Sequence, residues 1–222
     1  MKIENNILKH YLQNAYFITG TAYAGKSTAV RMLAERYGLL ACTENYHMAV
    51  SERIATPESH PDLCYNRSLT DWRDFVTRSP EEYERWIYAV GREAAEFEVA
   101  HLIAVSQGRR VIVDTNIPCD LLREISDERH VAVMLSPESM SVDRFFDRDD
   151  PDKRFLLDVI DSCDDPAAVL ENYRMGLRRV SGRAHYDEYA ESGFFTIVRK
   201  EDEGDTREAV CRALAEHFGF DR

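Results

Sequence analysis

The sequence predicts an α/β protein, on three observations. Five short apolar runs recur along the chain, helical patterns separate them, and a glycine-rich turn joins the first run to the first helix. The runs are AYFIT at 15–19, LLACT at 39–43, RVIVD at 110–114, VAVML at 131–135 and FFTIV at 194–198. Each is nearly continuous in apolar character, the pattern of a strand buried on both faces.

The first helix is expected from about Lys26 to Tyr37 and stops at Gly38, which tolerates the left-handed conformation of a helix C-terminus. A long excursion, roughly 45–108, precedes the third run. Inside it SPEE at 79–82 sets Ser79 as N-cap, Pro80 in the first turn and Glu82 where a capping box needs it. The helix opened there is expected to run to Gly108. Later helices are expected after Asp150-Pro151, after Asp165-Pro166 and after Thr206, each a polar cap ahead of a helical pattern.

Composition narrows the function. A chain of 222 residues with 44% hydrophobic content is enough for one well-buried core, so a single domain over 1–222 is expected. The net charge of −12 argues against nucleic acid as the main partner, because neutralising phosphates takes clustered Lys and Arg. Cys42, Cys64, Cys119, Cys163 and Cys211 are odd in number, widely spaced and without a zinc-type cluster, and read as reduced thiols. No signal-peptide core opens the chain and no run approaches a membrane span, so a cytoplasmic protein without a membrane partner is expected. Oligomeric state is left open, a homodimer included.

Gly20, Gly25, Lys26 and Ser27 satisfy G-x-x-x-x-G-K-[ST], the P-loop pattern, with a predicted strand before it and a predicted helix after it. A match this long should arise by chance on the order of once in a hundred chains of this size. Its glycines let several backbone N–H groups face one phosphate chain, and the helix adds its positive N-terminal end. The predicted nucleotide-binding residues are Gly20, Thr21, Ala22, Tyr23, Ala24, Gly25, Lys26, Ser27 and Thr28. Lys26 is expected on β- and γ-phosphate oxygens, and the Ser27 hydroxyl on Mg²⁺.

No NKxD guanine motif and no DxxG switch near the third run are found, which argues against a signalling GTPase. With GTAYAGKST at 20–28, an acidic residue after the second run, VIVD closing the third, Arg-x-x-x-Arg after the fourth and a terminal helix after the fifth, the chain resembles the small P-loop kinase superfamily. That group includes adenylate-type nucleoside monophosphate kinases, deoxyribonucleoside kinases and shikimate kinase. The resemblance covers most of the chain, and only the first motif is specific. It implies a three-layer fold, a five-stranded parallel sheet of order 2-3-1-4-5 with helices on both faces, and a helical lid at about 144–154. It also implies substrates over the carboxyl ends of the strands.

Residue by residue, the resemblance implies that Asp114 sits beside Ser27 and holds Mg²⁺, usually through water. Deoxyribonucleoside kinases carry Glu-Arg-Ser where this chain has Asp114-Thr115-Asn116. Glu44 falls where the nucleoside and shikimate kinases keep a carboxylate that accepts the acceptor's hydroxyl proton; the competing reading makes it a cap of ENYHMAVSERI. Arg144, Arg148 and Arg154 match the lid that closes over the transferring phosphoryl group, although Asp143, Asp147, Asp149, Asp150 and Asp152 could neutralise them as a solvated face. The excursion carries Tyr46, Tyr65, Trp72, Phe75, Tyr83, Trp86 and Tyr88 with Arg53, Arg67 and Arg73. Such a set suits a ring substrate, whereas the i,i+3 spacings of Trp72 with Phe75 and Tyr83 with Trp86 argue core packing for most.

The expected activity is therefore transfer of the γ-phosphoryl group of Mg-ATP to a hydroxyl of a small molecule, nucleoside-like or another small metabolite. Two alternatives stand beside it: a nucleoside monophosphate kinase, which needs an Arg clamp more than a base, and a non-catalytic nucleotide sensor.

Overall fold

The computed structural model describes residues 3–142, 145–146, 150–200 and 204–221. The chain begins with α1 (Asn5–Tyr11), β1 (Ala15–Gly20), α2 (Lys26–Tyr37) and β2 (Leu40–Cys42). Four helices fill the excursion: α3 (Met48–Ile54), α4 (Pro61–Ser68), α5 (Arg73–Val76) and α6 (Pro80–Val105). Next come β3 (Val111–Asp114), α7 (Cys119–Ile125), β4 (Val131–Leu135), α8 (Glu138–Val142), α9 (Pro151–Asp161), α10 (Pro166–Ser181) and α11 (Arg183–Ala190). The last described elements are β5 (Phe195–Val198) and α12 (Arg207–Phe218).

All five strands pair parallel in one sheet, in the order β2-β3-β1-β4-β5. β1 is central, with Ile18 opposite Asp114 of β3 and Gly20 opposite Met134 of β4. Side chains alternate across a strand, and two apolar clusters divide accordingly. Phe17, Val111, Val113, Val131 and Val133 pack with Leu102 of α6 and Leu122 of α7. Ile18, Ile112, Ala132 and Met134 pack with Val30 and Leu33 of α2 and with Leu214 and Phe218 of α12. The two outer strands differ from the expectation of burial on both faces. β2 and β5 each pair with a single neighbour, and Val198 remains 47% exposed.

Local signals act where the sequence places them. Gly38 ends α2 at φ +64, and Ser79 with Glu82 forms the full reciprocal capping box of α6. Asp150 and Asp165 cap α9 and α10 through their side chains, whereas Thr206 makes no side-chain cap bond at α12 among the described residues. α6 stops at Val105, short of Gly108, because the Ser106 carbonyl accepts from Asn14 Nδ2 at 3.2 Å and the Ser106 hydroxyl donates to Tyr11 O. The helix end is thereby tied to the turn between α1 and β1.

A third apolar cluster gathers α5, α6, α9 and α10 around Phe75, Tyr83, Ile160, Tyr173 and Leu177. Trp72 and Trp86 pack against it, with Phe75 and Trp86 rings 5.2 Å apart. The Arg78 guanidinium lies inside this aromatic group, 4.1 Å from the Phe75 ring centre and 4.6 Å from that of Trp86. Such faces attract a desolvated cation. Core packing therefore accounts for most aromatics of the excursion. The five cysteines are free thiols, four of them buried. Among the described residues no helix is long and apolar enough to cross a membrane.

Candidate functional site

Gly20 ends β1 at φ +123, and a Cβ there would run into the backbone of Met134 on β4. Only glycine lets the two strands approach this closely while the chain turns. Thr21 N donates to Met134 O at 3.0 Å, and Ser136 N donates to Thr21 Oγ1 at 2.7 Å. Hydroxyls of Ser136 and Ser141 donate to Ala22 O at 2.5 and 3.2 Å. Tyr23 takes the left-handed conformation at φ +64, which costs a non-glycine residue about 1 kcal/mol. Gly25, at φ +94, then opens α2 without a side-chain cap. The first-turn N–H groups of α2 thus have no intrahelical acceptor and give the loop a positive end.

Two side chains of the motif face back over this loop. Lys26 Nζ donates to Gly20 O at 3.1 Å and to Thr21 O at 3.0 Å. Ser27 Oγ donates to Asp114 Oδ2 at 2.6 Å, bringing together the head of α2 and the end of β3. Asp114 is 2% exposed, and its Oδ1 is buried with no hydrogen-bond partner among the described residues. A buried, half-satisfied carboxylate is costly. A divalent cation with oxygen ligands would relieve it, and a Ser hydroxyl with one carboxylate fits the sparse protein ligation of Mg²⁺.

Behind Asp114 lies a carboxylate that the sequence reading missed. Glu98 of α6 is 3% exposed, and its Oε2 accepts from Thr115 Oγ1 at 2.7 Å and from Tyr46 OH at 3.0 Å. Burial first, and then the charge of Asp114, push the Glu98 carboxyl up to about 7, against the hydrogen bonds that hold it down. A signal was present in the pattern. Ala94, Glu98 and Leu102 share one buried stripe of α6 at helical spacing, so Glu98 is a charge on an apolar face.

Glu44 stands exposed in the turn after β2, two residues before Tyr46. It does not cap a helix, because α3 begins at Met48 with His47 in the N-cap position. His47 is buried, 5% exposed, with Nδ1 unpartnered among the described residues. Arg144 and Arg148 lie outside the described residues. Arg154 is exposed near the start of α9, its backbone N–H bonded to Asp150 O.

The arginines of the excursion divide by what they hold. Arg67 donates to Glu52 O and Ala55 O at 2.5 and 3.1 Å, closing the end of α3. Arg73 pairs with Asp71 through Nη2 at 2.6 Å. Arg53 is exposed on α3. On the other flank of the loop, a pocket of about 400 Å³ is lined by Gly25, Thr28, Met32, Ile197, Arg199 and Arg207, among others. Apolar walls with a few polar groups are typical of small-molecule pockets.

No protein-family model matches the sequence, and no curated protein matches it.

Proposed function

We propose that the chain is a P-loop phosphotransferase that moves the γ-phosphoryl group of ATP to a hydroxyl of a small molecule. The observation that carries this reading is the contact of Ser27 with Asp114, with Asp114 Oδ1 unpartnered among the described residues. The three-layer P-loop fold of small kinases is part of the same proposal, supported by apolar clusters of opposite strand parity.

In this reading the 20–25 loop and the head of α2 take the phosphates, and Lys26 exchanges the Gly20 and Thr21 carbonyls for phosphate oxygens. The neighbouring pocket takes the base. Mg²⁺, when held by Ser27 and Asp114, would neutralise charge on the β- and γ-phosphates. Glu44 orients the acceptor: its oxygen forms the new bond to phosphorus, the bond from the γ-phosphorus to the bridging oxygen breaks, ADP leaves, and the hydroxyl proton passes to the Glu44 carboxylate. Arg154 belongs to the segment that closes over the transfer. A hydroxyl acceptor is favoured over a monophosphate because Arg67 and Arg73 are already engaged by backbone carbonyls and by Asp71.

The test has two arms. Saturating Mg·ATP at a hundred times its dissociation constant should raise stability by about 2.7 kcal/mol, read as a melting shift. ADP release should then be screened across nucleosides, nucleoside monophosphates, sugars, shikimate-like acids and hydroxylated antibiotics. No melting shift at millimolar Mg·ATP rejects nucleotide binding; a shift without ADP release for any acceptor favours a sensor.

A further inference from the structure

The strained residue of the glycine loop is a tyrosine, although glycine occupies φ +64 without cost. Backbone strain of this kind persists only where the surroundings over-determine it, and it often marks a working part. Contacts among the described residues fix Tyr23. Arg199 Nη1, just past β5, donates to its carbonyl at 2.8 Å. Its phenol donates to Phe145 O at 3.1 Å and accepts from Lys153 Nζ at 3.4 Å. The Lys153 ammonium also lies 5.3 Å from the Tyr23 ring centre and 4.4 Å from that of Phe145. Lys153 belongs to the first turn of α9, so the Tyr23 side chain reaches from the loop tip to Phe145 and to α9, both beyond α8 in chain order.

From this geometry we infer that Tyr23 is a positioning residue, a latch through which occupation of the glycine loop fixes α9 against it. The inference rests on the phosphotransferase reading above and adds a residue to it. An anion in the loop acts on the tip that carries Tyr23, and the phenol transmits that restraint to Phe145 and Lys153. A glycine at 23 would relax the turn but leave α9 unconnected to it. The strain is thus retained for a side chain that the phosphate-binding backbone does not itself need.

Hydrogen exchange of peptides covering 151–161, with and without saturating Mg·ATP, tests the latch. The wild type should gain protection in α9 on adding nucleotide. At saturation for each variant, Tyr23→Phe, which keeps the ring and deletes the hydroxyl, should lose at least fivefold of that gain. Lys153→Met should behave likewise, and Lys153→Arg should restore it. A purely structural role would lower the melting temperature without nucleotide and leave the nucleotide-induced gain intact. The latch is wrong if wild-type α9 gains nothing while Mg·ATP still shifts melting, or if Tyr23→Phe or Lys153→Met keeps the full gain. Should wild type show no Mg·ATP melting shift, the phosphotransferase reading fails and the latch falls with it.

Discussion

Thr115 Oγ1 stands 2.7 Å from Glu98 Oε2, and that bond ties the middle of α6 to the residue next to Asp114. Glu98 is pushed from an ordinary 4.5 up to about 7 by burial and by Asp114. A raised acid holds its proton in the folded chain at pH values where the unfolded chain has released it. The stability this proton contributes is full below 4.5 and is lost as pH rises through about 7. Glu98→Gln removes the titration and keeps an acceptor for Thr115 and Tyr46. Relative to wild type, the variant should therefore gain about 2 to 3 kcal/mol between pH 5 and pH 8. Urea unfolding at the two pH values measures it, and a difference that stays flat or shrinks with pH contradicts the burial of a titrating Glu98.

The charge of Asp114 acts on the same carboxyl. Asp114→Asn removes a buried charge whose Oδ1 has no partner among the described residues, so the metal-free variant should melt no lower than wild type. Its affinity for ATP should lose the part that depends on Mg²⁺. Titrations of ATP with and without Mg²⁺ separate the two effects. An unchanged Mg²⁺ dependence would remove Asp114 from the metal site. Lys26→Met, in contrast, should abolish the nucleotide-induced melting shift while leaving the fold intact.

Two glycines with positive φ should respond differently to alanine. At Gly20 the added Cβ meets the Met134 backbone, which cannot swing aside as a side chain could. Gly38, at φ +64, has nothing within 4 Å of the added Cβ among the described residues. Gly38→Ala should cost only the left-handed strain, about 1 kcal/mol, and Gly20→Ala should cost about 3 kcal/mol or more. Chemical denaturation of both variants checks this, and equal losses would show that β1 and β4 are not held as closely as Gly20 implies.

The sheet was legible because its central strands are buried on both faces, so Phe17, Ile112 and Val133 sit in unbroken apolar runs. The glycine turn at 20–25 and the caps at Ser79, Asp150 and Asp165 were legible for a related reason: each uses short-range chemistry that a few adjacent residues contain completely. What the sequence hid is tertiary. Glu98 and Tyr46 are 52 residues apart and meet only once α6 has packed behind the β2 turn. Arg67 was read with the aromatics of the excursion as suiting a ring substrate, yet it is held by carbonyls at the end of α3, a partner class that carries no sequence signature. Tyr23 occupies a variable position of the motif, so its reach to Phe145 and Lys153 follows from loop conformation alone.

The nature of the acceptor turns on Glu44 and Arg53, both exposed and both in the segment that follows β2. A hydroxyl must shed a proton during transfer, whereas an acceptor phosphate is already an anion at neutral pH. Glu44→Gln keeps the shape and removes the charge. General-base contributions run to about 10²–10⁴ in rate, and a loose phosphoryl transition state places this one near the low end. At 1.36 kcal/mol per decade, the expected loss in turnover is about 2 to 3 kcal/mol, with ATP affinity nearly unchanged. Arg53 is the matching probe for a phosphate acceptor, because removing Arg67 would open the end of α3 and removing Arg73 would only free Asp71. Single-turnover kinetics on the acceptor found in the ADP-release screen decide between them. Near wild-type turnover in Glu44→Gln, together with lost acceptor binding in Arg53→Ala, would replace the hydroxyl kinase with a monophosphate kinase.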